Sequence, residues 1–186
     1  FLYAKETKEG VRKLDFLSLD VKSGSESVLG TCNGIDFMTH CGEGFFIRDK
    51  DQVIYIGGWK ESDYKKVFKF DLNTQKETVI HDFTFENYHQ FRWIRNPLLS
   101  PNDKYLYLEL LKLPGYLGTG LGIIFNLDTQ RIIEIGENIY PLVWDNEGNL
   151  LLYLQNKKYF VLDAGTNKVT EFNLPTDVVE VGQFSN

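Results

Sequence analysis

Aromatic and cationic side chains are concentrated in one stretch of this 186-residue chain, FENYHQFRWIRNP at residues 85–97. Trp, Tyr and Arg contribute most of the binding energy at protein interfaces. The stretch therefore predicts a surface that binds a protein or a peptide. The alternative is structural, with aromatic rings packed in the interior and arginines paired on the surface. The candidate binding residues in this stretch are Tyr88, His89, Arg92, Trp93 and Arg95.

Two further polar stretches carry aromatic residues that a loop would expose. GGWKESDYKK, residues 57–66, contains Trp59 and Tyr64, and KLPGYLGTGLG, residues 112–122, contains Tyr116. The glycines of the second stretch do not make a phosphate-binding loop, because a following helical pattern and the Lys-Ser/Thr pair of a P-loop are missing. We therefore add the three aromatic residues to the predicted binding surface.

The sequence contains no recognised catalytic motif. Its three histidines, His40, His81 and His89, accompany no Gly-x-Ser-x-Gly nucleophile elbow, and we expect His81 to lie on the surface at the end of a strand. Carboxylate pairs such as Glu61 with Asp63 occur, but any chain with 26 acidic residues contains them. The sequence assigns no catalytic residue and favours a protein without catalytic activity.

A metal or cofactor site is not indicated either. Cys32 and Cys41 lie in a polar, glycine-rich stretch, and the adjacent His40 lacks the spacing of a zinc ligand set. The cysteines would pair in an oxidising compartment and stay reduced in the cytosol, and their spacing does not decide between the two states. We expect no metal and no cofactor.

The net charge limits the classes of partner. A formal charge of −6 argues against nucleic acid, whose binding requires a basic surface. The same charge suits a basic protein partner, or serves only solubility. No apolar run approaches the roughly 20 residues that a membrane-spanning helix needs, so we expect no membrane contact.

A polar turn followed by a tyrosine-bearing apolar strand recurs along the chain. The turns RDKDQ, SPNDK and DNEGN precede or begin the strands VIYI, YLYL and LLYL, and FLYA opens the chain without such a turn. Four tyrosines are therefore predicted to hold the same position in successive repeats of about 50 residues. They are Tyr3, Tyr55, Tyr107 and Tyr153.

A second polar position supports the repeat. The segments LDVKSGS, FDLNTQK, FNLDTQR and LDAGTNK align without gaps, and each lies between two apolar stretches. Asx and hydroxyl side chains satisfy nearby backbone amides, so each segment predicts a tight turn between antiparallel strands. The Asx residues are Asp20, Asp71, Asn126 and Asp163, followed by Ser23, Thr74, Thr129 and Thr166.

Repeats of several short strands without helical periodicity predict an all-β fold. Units of about 50 residues are typical of β-propeller blades, and their regular length disfavours a sandwich or barrel. We predict a single β-propeller domain over residues 1–186 with four blade-like repeats. Their approximate bounds are 1–36, 37–86, 87–138 and 139–175.

The two chain ends are complementary in this scheme. The first repeat lacks an innermost strand, and residues 176–186 end in FSN, which matches the close of one. We therefore expect this C-terminal strand to join the N-terminal blade and close the ring, which leaves no open sheet edge. The alternative is that the chain is a segment of a larger propeller.

The third repeat, LSPNDKYLYLEL followed by GIIFNLDTQRIIEI, resembles the repeat of TolB-like propellers and of the propeller domain of prolyl-oligopeptidase-type peptidases. The usual unit there is a Ser-Pro-Asp-Gly-Lys-type turn, an apolar strand and an Asp-containing turn. The resemblance implies a scaffold whose repeat carries no catalytic residue. It also implies a periplasmic or secreted location, although the residues themselves do not indicate a compartment.

These observations favour a non-catalytic, monomeric propeller that binds a protein or peptide partner through its loop-rich face. Two alternatives stay open. One is an enzyme or enzyme-accessory propeller with a small-molecule site at the channel mouth. The other is an acidic inhibitor or immunity-type protein that masks a basic toxin or enzyme.

Overall fold

The computed structural model describes residues 2–9, 11–33, 45–48, 51–56, 66–83, 87–91, 93–112 and 120–173. Every regular element within these ranges is a β-strand, which confirms the all-β prediction. The same ranges include no helix that could span a membrane. The strands are β1 (Leu2–Glu9), β2 (Val11–Leu19), β3 (Glu26–Asn33), β4 (Phe45–Arg48), β5 (Gln52–Ile56), β6 (Lys66–Asp71), β7 (Lys76–Asp82), β8 (Trp93–Leu99), β9 (Tyr105–Leu111), β10 (Gly120–Asn126), β11 (Ile132–Glu137), β12 (Tyr140–Trp144), β13 (Leu150–Gln155), β14 (Lys158–Asp163) and β15 (Lys168–Phe172).

The strands form four antiparallel sheets, each built from strands that are consecutive in the chain. Sheet I has the order β1-β2-β3, and sheet II has the order β4-β5-β6-β7. Sheet III has the order β8-β9-β10-β11, and sheet IV has the order β12-β13-β14-β15. Each sheet is thus a simple meander, as expected for strands joined by hairpins.

The four Asx turns predicted from the sequence are present. In the turn after β6, the Asp71 carboxylate accepts hydrogen bonds from the backbone N–H groups of Asn73 at 3.0 Å and Thr74 at 2.8 Å. The equivalent acceptors in sheets I, III and IV are Asp20, Asn126 and Asp163. The chain reverses at the next position, where φ is 55–70° at Gly24, Gln75, Gln130 and Asn167. We call the end of each sheet that carries these turns the turn end.

The Asx turns also identify the strand that sheet I lacks. They join the third and fourth strands of sheets II, III and IV, but the second and third strands of sheet I. Within the described ranges, β1 therefore corresponds to a second strand, and sheet I has no counterpart of β4, β8 and β12. Residues 176–186, which the sequence predicts to supply it, lie outside the described residues, so closure of the ring stays a prediction.

The tyrosine position is correct in three repeats and wrong in the other. Tyr3, Tyr55 and Tyr153 each lie opposite the residue three before the Asx of their sheet. Tyr55 and Tyr153 stack there on phenylalanine rings, with centroids 5.2 and 5.5 Å apart. In sheet III this position holds Leu108, and Tyr107 lies one residue earlier. Because successive side chains of a strand point to opposite faces, Tyr107 lies on the other face of its sheet.

The sheets pack face to face in chain order. We call the face that carries Tyr55, Leu108 or Tyr153 the front face of its sheet, and the opposite one the back face. The front face of sheet III packs on the back face of sheet II, and that of sheet IV on the back face of sheet III. The core between sheets II and III includes Ile54, Ile56, Val67, Leu106, Leu108 and Phe125.

Polar contacts near the turn end hold sheet IV against sheet III. Trp144 stacks on Tyr105 with ring centroids 6.0 Å apart, and its Nε1 donates to the carbonyl oxygen of Leu98 at 3.1 Å. The Asn102 side chain donates from Nδ2 to the carbonyl oxygen of Glu147 at 2.8 Å. These directional bonds fix the position of one sheet on the other, which apolar contacts alone would not do.

The β13–β14 connection is the tight hairpin that the sequence predicts. Gln155 pairs with Lys158, and the two residues between them, Asn156 and Lys157, have φ values of 51° and 65°. Positive φ at both central residues defines a type I′ turn, whose twist matches that of the strands. Asn tolerates this conformation, whereas the Cβ of a lysine is strained in it.

Replacing Lys157 by glycine is expected to stabilise the protein by up to about 1 kcal/mol, because it removes this strain. Asn156→Gly is the matched control and should change the free energy of unfolding less. Urea unfolding followed by tryptophan fluorescence measures both variants. A Lys157→Gly protein that is less stable than the original would contradict the type I′ turn.

Hydrogen bonds within the turns lower the pKa of three Asx carboxylates. For Asp71 the largest cause is the backbone N–H of Thr74, followed by the hydroxyl of the same residue. Backbone N–H donors of their own turns likewise lower the pKa of Asp20 and Asp163. A carboxylate of this kind contributes stability that is fully present above its unfolded pKa and is lost as the pH falls through the lower folded value.

Asp71→Asn should therefore flatten the acid dependence of stability. Asparagine keeps the acceptor oxygen, as Asn126 does in sheet III, but it has no charge. We expect the variant to be less stable than the original at neutral pH, and the difference to close as the pH falls below the ordinary value of 3.8. Urea unfolding at stepwise lower pH measures the difference, and Asn126→Asp should show the opposite trend. A difference that does not change with pH would refute the assignment.

Candidate binding surface

The loops singled out in the sequence leave the sheets at one common end. In sheet III, Arg95 near the start of β8 lies opposite Glu109 near the end of β9, and Gly120 at the start of β10 lies opposite Leu111. Hairpin geometry places the β5–β6 and β7–β8 connections at the corresponding end of their sheets. We call this the loop end, opposite the turn end.

A polar cluster around a buried carboxylate lies at the loop end of sheet III. Arg95 donates to Glu109 twice, from Nε to Oε2 at 2.7 Å and from Nη2 to Oε1 at 2.8 Å. Asn96 Nδ2 donates to Glu109 Oε2 at 2.7 Å. Glu109 is only 4% exposed, and these donors compensate for the removal of its charge from water. We call these three residues the Glu109 cluster.

The backbone of sheet III is adapted to this cluster. The pairing of β8 with β9 shifts between Arg95 and Leu98 in a β-bulge, and Asn96 in the bulge has a φ of 51°. A bulge re-aims side chains, which allows two consecutive residues to reach one carboxylate. At the start of β10, a Cβ on Gly120 would overlap the Glu109 side chain, so a larger residue there would displace the carboxylate.

Tyr107 shares the back face of sheet III with the cluster. Burial raises the pKa of its hydroxyl, and the nearby negative charge of Glu109 raises it further, whereas Arg95 lowers it. The hydroxyl donates to the carbonyl oxygen of Ile139 at 3.3 Å, in the connection that leads to sheet IV. At neutral pH this group is therefore a hydrogen-bond donor that links two sheets.

Aromatic residues of the β7–β8 connection pack on the front face instead. Tyr88 and Phe91 belong to the core between sheets II and III, and the ring centroids of Tyr88 and Phe83 lie 5.6 Å apart. The Tyr88 hydroxyl donates to Glu134 at 2.9 Å. The exposed Lys112 places its Nζ 5.6 Å from the centroid of the Phe91 ring, a cation–π contact.

The structure does not bring all the predicted binding residues together. Tyr88 lies in the core on the front face of sheet III, whereas Arg95 bonds Glu109 on the back face. Leu108 and Leu110 belong to the core on the front face. Because successive side chains of a strand alternate between its faces, Glu109 lies on the back face. His89, by contrast, is exposed to solvent beside the core.

Five predicted residues lack a described side chain. Trp59, Tyr64, Arg92 and Tyr116 lie outside the described residues. Only the backbone of Trp93 is described, at the start of β8. Their place in the binding surface stays a prediction.

Sequence reasoning missed Glu109 and Asn96, although a signal for the first was present. Glu109 is the only charged residue in the run YLYLELL. A charge within a strand that is apolar at every other position implies burial, and a buried charge requires a partner. The bulge that brings Asn96 to the carboxylate has no comparable signal.

The expectation that His81 lies on the surface is wrong. It is buried, and its ring packs edge-on against Phe83, with centroids 4.4 Å apart, and lies 4.9 Å from the ring of Phe125. The reason is that the front face of sheet III covers this end of β7.

The described residues include no group of three or more His, Cys, Asp or Glu that could hold a metal ion. Cys32 lies in β3, and Cys41 is outside the described ranges.

Known proteins match this chain in structure and not in sequence. No family model matches it, and no curated protein matches it. TolB from Acinetobacter baumannii matches at a TM-score of 0.50 and 11% identity, over 86% of this chain and 40% of that one. An oligogalacturonate lyase in complex with manganese matches at 0.57 and 10%, over 91% and 59%. A structure from a study of two prolyl endopeptidases matches at 0.58 and 15%, over 91% and 26%.

These matches confirm the resemblance to TolB-like and prolyl-oligopeptidase-type propellers. At such low identity they show the fold alone, which is a β-propeller fold of antiparallel sheets. The chain spans less than two thirds of the length of each matched protein. What those proteins do is therefore not transferred to it by the likeness.

Truncating Glu109 to alanine is expected to cost about 1.5–3 kcal/mol, because it removes the carboxylate that accepts three hydrogen bonds from Arg95 and Asn96. The control is Glu171→Ala, which removes an exposed ion pair with Lys158 and should cost less than about 1 kcal/mol. Replacing Arg95 and Glu109 together by methionine should recover part of the loss. Equal costs for the two alanine variants, measured by urea unfolding, would exclude a structural role for the cluster.

Proposed function

We propose that this chain is a non-catalytic propeller module that binds a protein or peptide partner through its loop end. The observation that supports the proposal is the Glu109 cluster. It joins β8 to β9 and packs against β10 directly beside the β9–β10 loop. A loop anchored on rigid strands is the usual means by which a scaffold presents a binding site.

The proposed surface combines aromatic and cationic side chains from three connections. Its residues are Trp59, Tyr64, His89, Arg92, Trp93 and Tyr116, with the exposed Lys112 at the edge. Tyr88 and Arg95 support the surface from within, through Glu134 and Glu109. The net charge of −6 favours encounter with a basic partner.

Further parts of the proposal concern the whole molecule. We propose a monomer with one propeller domain, whose repeats have the bounds predicted from the sequence. The lyase and endopeptidase names belong to proteins that share the fold with this chain, and no separate observation favours an enzyme or an inhibitor here.

Selection from a peptide-display library on the immobilised chain tests the proposal. We expect the selected peptides to lose at least tenfold in affinity for Arg92→Ala/Trp93→Ala, because large interface anchors are removed. The control is Lys104→Ala/Arg131→Ala, which removes two exposed cations at the turn end and should leave affinity unchanged.

The melting temperature of each double variant separates binding from folding. If Arg92→Ala/Trp93→Ala unfolds, or if both double variants weaken the peptides equally, the loop end is not the binding surface. Affinity that does not fall with rising salt would exclude the acidic inhibitor. A library that gives no peptide dependent on the loop end counts against the proposal.

A further inference from the structure

The outer strands of sheets I, II and III carry a β-bulge at the same place. Counted back from the Asx residue of each sheet, the pairing shifts between the third and the fourth residue of the strand that leads into the turn. At this point the outer strand contains one residue more than its partner. The extra residues are Leu29 in β3, Ile80 in β7 and Ile135 in β11. The bulge is therefore a regular part of the repeat.

Sheet IV is built without this bulge. Its outer strand β15 pairs with β14 residue for residue, with no shift. The positions at which the other sheets shift are Phe160 and Tyr159, and here they pair with the consecutive residues Glu171 and Phe172. Among the outer strands that the structure describes, β15 is thus the one whose pairing is regular throughout.

The bulges also fasten the outer strands to neighbouring sheets. Ile80 and Ile135 are partly buried and pack against the cores on the two sides of sheet III. The carbonyl oxygen of Leu29 accepts a hydrogen bond at 3.4 Å from Nε2 of Gln75, in the turn of sheet II. The residues of β15 are all exposed and belong to neither of these cores. Within the described ranges, β15 is therefore held mainly by its pairing with β14.

A regular and exposed outer strand is a template for a further strand. Alternate residues of an edge strand direct their N–H and C=O groups away from the sheet, where an added strand can bond them. A bulge interrupts this row of groups and increases the local twist, which is one of the ways in which proteins protect an edge. Proline is another, and β15 contains none. Sheet IV therefore presents a five-residue edge without the bulge that its three counterparts share.

The side chains of β15 indicate the chemistry of an added strand. Val169 and Glu171 lie on the front face, whereas Lys168 and Phe172 lie on the back face. Val169 is 47% and Phe172 is 42% exposed, so an apolar residue opposite either would cover it. Directly opposite residues of unlike charge stabilise a strand pair, which favours a cation beside Glu171 and a carboxylate beside Lys168. The exposed ion pair of Glu171 with Lys158 is of a kind that contributes little.

We propose that β15 is a second docking site, at which an extended segment of another protein adds to sheet IV as a fifth strand. The segment has apolar residues opposite Val169 and Phe172, a basic residue opposite Glu171 and an acidic residue opposite Lys168. In this mode of binding the main-chain hydrogen bonds supply affinity and the alternating side chains supply specificity. The site shares no residue with the loop-end surface, so neither proposal depends on the other.

A synthetic peptide tests the site directly. The capped sequence Val-Lys-Thr-Val-Glu places the required residues opposite β15 in the antiparallel direction. In an NMR titration of the full 186-residue chain, it should shift the β14 and β15 amides, and alternate β15 amides should exchange with solvent more slowly. The control peptide, Val-Lys-Pro-Pro-Glu, keeps the charges but has no N–H group at two adjacent positions, one of which must face the edge. It should bind at least tenfold more weakly.

Restoring the bulge is the matched change in the protein. One isoleucine inserted between Glu171 and Phe172 reproduces the arrangement of β7 and should weaken the first peptide at least tenfold. Glu171→Lys is the second variant, and it should weaken the peptide at least threefold because it opposes the lysine of the peptide with a like charge. Arg92→Ala/Trp93→Ala is the control and should leave this affinity unchanged. The melting temperature of each variant shows whether it is folded.

Equal affinity for the two peptides, or for the original and the folded variants of β15, would overturn the proposal. Loss of affinity in Arg92→Ala/Trp93→Ala would overturn it by assigning the peptide to the loop-end surface. A dimer in light scattering that the inserted isoleucine abolishes would overturn it in favour of pairing between two copies of β15. A display library that yields no peptide dependent on the loop end counts against the proposed function and leaves the result for β15 unaffected.

Discussion

Packing of sheet III on both of its faces is the constraint on which the rest of this structure depends. It requires strands that are apolar on both faces, and β9 is accordingly buried at every position. A one-residue shift of such a strand would exchange its two faces without changing its overall hydrophobicity. The Asx turns prevent the shift, because Asp71, Asn126 and Asp163 end the third strand of each complete sheet at an equivalent point. Local hydrogen bonds in the turns thus determine which side chains meet between the sheets.

This dependence explains which parts of the fold could be predicted from the sequence. The Asx turns were predictable because their hydrogen bonds join residues two and three positions apart, so the whole motif is visible in a short segment. The prediction that Tyr107 is equivalent to the other three tyrosines was wrong, because it matched residue types and did not count the distance from the Asx turn. Tyr105 lies opposite Asn126, and Leu150 lies opposite Asp163. Leu108 and Tyr153 each lie three residues after these paired positions and are therefore equivalent. The sequence does not reveal the pairs, because a strand that is buried on both faces, as β9 is, shows no alternation of polar and apolar residues.

The arrangement of the predicted binding residues could not be derived from the sequence. The β7–β8 connection does carry aromatic and cationic residues at the loop end, but Tyr88 and Arg95 diverge to opposite faces of sheet III. Their separation depends on tertiary packing and on the bulge in β8. Glu109 was predictable as a buried charge, yet its partner was not, since Arg95 lies fourteen positions away. A buried ion pair is weak evidence for stability but strong evidence for a defined geometry, because few arrangements satisfy all its donors.

The distribution of burial within the sheets indicates which strands open most easily. β15 is exposed at every position, and most of β7 is exposed, whereas β9 is entirely buried. Segments with few buried contacts open at a lower free-energy cost than the core, so local opening should begin at the last strand of a sheet. The β9–β10 loop instead starts from the most buried strand, whose end Glu109 ties to Arg95 of β8. The base of this loop should therefore stay ordered while the outer strands open.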